Sequence, residues 1–175
     1  MEFTLEKSAR GKNLEVAPPV KLNVPRSHIP YGFSIFKSQN EYQKPSVSLQ
    51  LLLNNDEIIS TIRALEATVI EKVTKMYDGK VDGSQFNSNF KNGRLRVKYN
   101  ESTTSLFDSK GKKLYVDIED NSYEKWSAAV TATVEGVYFM NQQFGLIWKA
   151  NQVKLFEPNQ VKGYCFLSDS DDDDQ

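Results

Sequence analysis

The sequence predicts a mainly β protein: a small closed or half-closed barrel that carries one long helix and ends in an acidic tail. A two-sheet sandwich is the alternative. Three observations lead there. Short segments of alternating apolar and polar residues recur between residues 31 and 158, one stretch alone (56–77) repeats its apolar residues at helical spacing, and the chain closes on SDSDDDDQ (168–175), with five aspartates and no apolar residue. Several mostly antiparallel strands with a single helix must bury one face of each element, and a curled sheet does that in a chain of this length.

Residues 1–27 predict a polar arm, because Pro18, Pro19 and Pro25 lack the N–H that a helix interior or a central strand requires. YGFSIFKS (31–38) and PSVSLQLLL (45–53) read as strands; in the second, Val47, Leu49, Leu51 and Leu53 alternate with Ser48, Gln50 and Leu52, the period of a sheet with one buried face. Asn54-Asn55-Asp56-Glu57 offers amides and acids that cap a helix and suit its dipole. A helix over 56–77 follows, since Ile58, Ile62, Leu65, Val69, Val73 and Met76 fall on one face. Asp78-Gly79 ends it. GRLRVKYN (93–100) predicts a strand, SLFDSKGKKLYVDIED (105–120) two strands around a tight SKGK turn, WSAAVTATVEGVYFM (126–140) one long strand with a bend at Gly136, and FGLIWKANQVKLFEP (144–158) a last strand stopped by Pro158. The expected organisation is an arm (1–27), one domain (28–160) and an acidic tail (161–175).

Composition narrows the function classes. The 39% hydrophobic content suffices for a core, no run reaches the roughly 20 apolar residues of a membrane span, and the opening MEFTLEKSARGK lacks a signal peptide's apolar stretch. A soluble intracellular protein is expected. Cys165 is the only cysteine and His28 the only histidine, which leaves no internal disulfide and no cysteine and histidine zinc site. His28 reads as a surface or packing residue, and nothing near Cys165 would lower its pKa. GKVDG (79–83) lacks the Gly-Lys-Ser/Thr of a phosphate loop, and there is no G-x-S-x-G elbow. Asp117, Glu119 and Asp120 either hold a cation or are solvated strand ends. No cofactor, no metal and no catalysis are expected.

Charge becomes informative once divided. The chain has 22 basic and 23 acidic residues; setting aside Asp169, Asp171, Asp172, Asp173 and Asp174 of the tail leaves 18 acidic residues against the same 22 basic ones in the body. A like-charged run repels itself and stays unfolded, so the tail is either a solubilising end or a tethered anion that competes for a cationic surface. GRLRVKY supplies such a surface: as a strand it places Arg94, Arg96 and Lys98 on one face and Leu95, Val97 and Tyr99 on the other. Lys91 precedes them, and Lys110, Lys112 and Lys113 crowd the next turn. A cationic stripe tracks phosphates and nearby rings stack bases, with Tyr115, Tyr138, Phe139 and Trp148 the candidate rings and Lys149 an adjoining cation. The other reading is a solvated strand face beside core aromatics.

The order strand, helix, DSKGKK (108–113), long strand, YFMNQQFGLIWKANQVKLFE (138–157) and acidic terminus resembles the acidic-tailed single-stranded DNA-binding proteins of short-tailed phages, the gene 2.5 type, and their relatives in large DNA viruses. The resemblance spans about residues 30–175. It implies an OB-fold barrel with a helix, non-catalytic binding of single-stranded DNA in viral replication, recombination and repair, a virus-infected host cell, and compatibility with a homodimer. It also implies that the tail shields the groove and contacts a replication polymerase or helicase-primase. The matching positions are Arg96, Lys98, Lys110, Lys112, Lys113 and, before the last strand, Tyr138. The tail departs from the pattern, ending at Gln175 with Tyr164 and Phe166 ahead of the acids instead of on a terminal phenylalanine. Two other classes stand beside this reading: a viral scaffold or interaction module, and a small nuclease using the carboxylates at 117–120.

Overall fold

The computed structural model describes residues 2–119 and 122–158. Where the sequence alternates, strands form: β1 (Thr4–Lys7), β2 (Leu14–His28), β3 (Phe33–Phe36), β4 (Ser46–Leu52), β5 (Phe90–Lys91), β6 (Arg94–Tyr99), β7 (Ser105–Phe107), β8 (Lys113–Leu114), β9 (Ser127–Met140) and β10 (Gln143–Phe156). They join in the order β5-β6-β4-β2-β9-β10-β7-β8, with β1 on β2 and β3 on β4. A parallel pairing of Lys98 with Lys149 links β6 to β10 and closes β2, β4, β6, β9 and β10 into a ring. The fold is thus a five-stranded, OB-fold-like barrel, not a sandwich. Its interior is filled from every strand of the ring, by Val24, Leu49, Leu51, Leu95, Val97, Val130, Ala132, Leu146 and Val153 among others.

The single helix, α1 (Asp56–Met76), begins where the Asn55 side chain accepts the Ile58 N–H at 3.1 Å, satisfying one of the amides a helix start leaves open. Ile62, Leu65, Val69 and Val73 are buried in the common core. Asp78 and Gly79 take positive φ of 53° and 75°, and the Gly79 N–H returns to the Thr74 carbonyl at 2.9 Å, a left-handed stop of the kind glycine favours.

The prolines behave otherwise than the sequence predicts. Leu14–His28 forms one long strand inside the sheet, paired with β9, because the ladder lapses where proline could not donate. Pairing runs Leu14↔Val137 and Glu15↔Gly136, resumes at Val20↔Val134, and shifts again between Val24 and Ser27. Pro18, Pro19 and Pro25 all fall in these interruptions, the bulge positions where a sheet tolerates proline. Gly136, expected to mark a bend, lies where the pairing of β9 shifts register on both sides and also permits close approach: a Cβ there would lie 2.5 Å from the Leu14 carbonyl oxygen. The two strands expected over 105–120 are present but shorter, ending at Leu114.

Candidate nucleic-acid interface

In β6 the side chains alternate as the sequence predicts: Leu95, Val97 and Tyr99 are buried, Arg96 and Lys98 exposed and Arg94 half-buried. Burial, with the Glu101 carboxylate a lesser cause, raises the Tyr99 pKa above its usual value. Antiparallel pairing with β4 sets Leu52, Gln50 and Ser48 opposite Arg94, Arg96 and Lys98. Arg96 and Lys98 are thereby flanked by polar side chains, and Arg94 by the exposed Leu52. Arg96 donates through Nε to Ser48 Oγ at 3.2 Å. Arg94 lies over the Tyr31 ring at 5.2 Å and donates to its hydroxyl, while Lys91 donates to Asn87 Oδ1.

This face forms one wall of a groove of about 770 Å³. Lys91, Arg94, Arg96 and Lys98 line it together with Ser48, Gln50, Asn87, Asn89, Tyr138, Phe139 and Trp148. The ion pairs of the described residues are Arg63–Glu66, Lys75–Glu71 and Lys149–Glu135. None of them involves Lys91, Arg94, Arg96 or Lys98.

The rings differ in what they present. Tyr138 is half-buried; its hydroxyl accepts a hydrogen bond from Asn87 Nδ2 at 3.0 Å. Phe139 meets Tyr77 edge-on at 5.5 Å and stacks on Phe144 at 6.0 Å. Trp148 is 1% exposed and packs in the barrel interior, which leaves no open ring face for a base. Its Nε1 has no acceptor among the described residues.

The remaining candidates lie elsewhere. Lys149 pairs with Glu135 at 3.4 Å and does not line the groove. Lys110 and Lys112 occupy the β7–β8 turn, where Asp108 Oδ1 accepts their amides at 2.9 and 2.8 Å, and Lys113 opens β8. Lys113 sits 5.7 Å from the centre of the exposed Tyr115 ring. This turn adjoins β10 through Gln152–Lys154, whereas the groove is walled by Leu146–Trp148, making two separate cationic patches. The tail aspartates, Asp169, Asp171, Asp172, Asp173 and Asp174, lie outside the described residues, as do Cys165 and Asp120. Asp117 accepts the Glu119 amide at 3.0 Å in a local turn, and among the described residues no group of three or more metal-ligating side chains assembles. His28 Nδ1 lies 3.0 Å from the Trp126 carbonyl oxygen, a packing contact. No helix among the described residues is long and apolar enough to cross a membrane.

Tyr31, Ser48, Gln50 and Asn87 are site residues that the sequence does not single out. Their only signal is tertiary: Ser48 and Gln50 reach the basic face through β4, Asn87 through the 86–89 segment that joins β10 where the Asn87 amide donates to the Phe144 carbonyl at 2.8 Å, and Tyr31 from the turn before β3 through its contact with Arg94.

No protein-family model matches the chain, and no curated protein matches it. Solved structures do. The single-stranded DNA-binding protein from bacteriophage Enc34, in complex with single-stranded DNA, is 12% identical with a TM-score of 0.52 over 91% of this chain and 98% of its own. The single-stranded DNA-binding protein gp2.5 encoded by bacteriophage T7 is 15% identical with a TM-score of 0.54 over 83% of this chain and 91% of its own. At such identities the likeness speaks for architecture, and the chain has the fold of the phage proteins that its sequence resembles.

Proposed function

We propose that the protein binds single-stranded DNA along the groove beside β6 and acts by binding, without catalysis. The observation that carries this is the convergence of Lys91, Arg94, Arg96 and Lys98 with the Tyr138 ring in one groove. Cations that follow a phosphate backbone, beside a ring that stacks bases, are the means by which such folds hold single strands. The shared fold with phage proteins that bind single-stranded DNA supports the same reading.

The setting that fits is replication, recombination and repair of viral DNA in an infected cell. There the acidic residues at 169–174 compete with DNA for the groove at the high effective concentration of a tethered segment, and contact a polymerase or helicase-primase once displaced. A homodimer is compatible with this role. Fluorescence titration with single-stranded DNA, double-stranded DNA and RNA oligomers at two salt concentrations tests the proposal. Preference for single-stranded DNA with a steep salt dependence is expected; equal or absent binding to all three would overturn it and favour a scaffold module.

A further inference from the structure

The groove does not end at Tyr138. Asn13 and Phe139, on its rim, also line a second hollow of about 400 Å³ whose other walls include Lys7, Lys12, Tyr77 and Val81. Two rings, Tyr77 and Phe139, and the apolar Val81 thus share the hollow with two cations. The cations come from the turn joining β1 to β2, KSARGKN (7–13), which carries Lys7, Arg10 and Lys12 and no acid.

The turn is held in place. Leu5 and Val16 pair across the β1–β2 ladder, Phe3, Leu14 and Val16 are buried, and Lys72 of α1 sits 5.3 Å from the centre of the Phe3 ring. The Ser8 amide donates to the Asn13 carbonyl at 3.2 Å, and Gly11, at φ 102°, supplies a left-handed turn residue. Lys7, Arg10 and Lys12 are exposed and belong to none of the ion pairs among the described residues. An anchored hairpin presents its charge without the ordering cost of a free arm.

We infer that this hairpin is a second nucleotide subsite, which takes the strand leaving the groove over Phe139: a base seats against Tyr77 and Phe139 while Lys7 and Lys12 hold its flanking phosphates. This rests on the groove being the single-strand site. It gives the N-terminal segment a direct part in binding and lengthens the path from β6 across β10 to the β1–β2 turn.

The test compares the full-length protein with Lys7→Ala/Lys12→Ala and Lys7→Arg/Lys12→Arg variants, each titrated with oligothymidylates of about 5 and about 20 nucleotides, one near the lower end of the roughly 4–16 nucleotides that single OB folds cover and one above it. Two lost phosphate contacts lower the salt slope for the long oligomer by about 1.4. The deficit of the alanine variant therefore shrinks about sevenfold between 50 and 200 mM salt. The short oligomer, held in the groove, binds all three proteins alike, and the arginine variant keeps the original slope. If the unaltered protein binds both oligomers and the alanine variant matches it, the subsite is overturned while the groove stands. Equal loss for both lengths also overturns it, by placing the lysines in the main site or in folding. Failure of the unaltered protein to bind either oligomer overturns the groove reading itself, and the subsite with it.

Discussion

Asn87 donates a hydrogen bond to the Tyr138 hydroxyl at 3.0 Å, tying the 86–89 segment to the ring that overhangs the basic groove. Gly145, the ladder partner of Tyr138, makes the contact possible. A Cβ on Gly145 would lie 2.7 Å from both the Tyr138 hydroxyl and the Asn87 carbonyl oxygen, so both contacts would have to open. Gly145→Ala is expected to cost about 1–3 kcal/mol of stability, as overpacking does, and to weaken oligonucleotide binding at the same time. Denaturant melts and titrations on one preparation check both effects.

Tyr138 itself separates stacking from charge. Tyr138→Ala should lose about 1–3 kcal/mol of single-strand binding with the salt slope unchanged, and Tyr138→Phe should keep the stacking share. A slope that falls with Tyr138→Ala would show the ring acting only by positioning cations.

The basic face carries the opposite signature. Replacing Arg94, Arg96 and Lys98 together with alanine removes three exposed or half-exposed cations and should lower the slope of log affinity against log salt by about 2. The loss should be similar for all base sequences. An unchanged slope would move the phosphate track to the Lys110, Lys112 and Lys113 turn, which a matching triple substitution would then reveal.

Trp148 should behave as core. Its ring is 1% exposed, so Trp148→Ala is expected to cost about 3–5 kcal/mol of folding stability. Any loss of binding should follow unfolding, and tryptophan fluorescence in the unaltered protein should respond weakly to added oligonucleotide relative to the melting signal.

Removing residues 168–175 takes five negative charges from a chain of net charge -1, leaving +4. Binding should tighten, and more at low salt than near 1 M, where the Debye length is about 3 Å. A truncated protein that binds no better at low ionic strength would leave the tail a solubilising end or a handle for partners alone.

The sequence by itself determined what depends on near neighbours. Three-to-four spacing and the Asn55 cap set α1 to within a residue of its end, and alternation in Arg94–Tyr99 settled which side chains face out, because strand and helix periods are local geometry. Tertiary structure decided the rest. Prolines at 18, 19 and 25 argued against a strand, yet β9 pairs on either side of them and passes over them in two bulges, an accommodation that requires knowing the partner. The same holds for the rings: Tyr138 and Trp148 are alike in sequence context, but a ladder shift between Ile147 and Trp148 accompanies the placement of Trp148 in the interior, while bare Gly145 leaves room for Tyr138 at the groove. Lys91, Arg94, Arg96 and Lys98 converge with Asn87 and Tyr138 only because the parallel contact of Lys98 with Lys149 closes the sheet, and closure joins residues some fifty positions apart, beyond the reach of any local pattern.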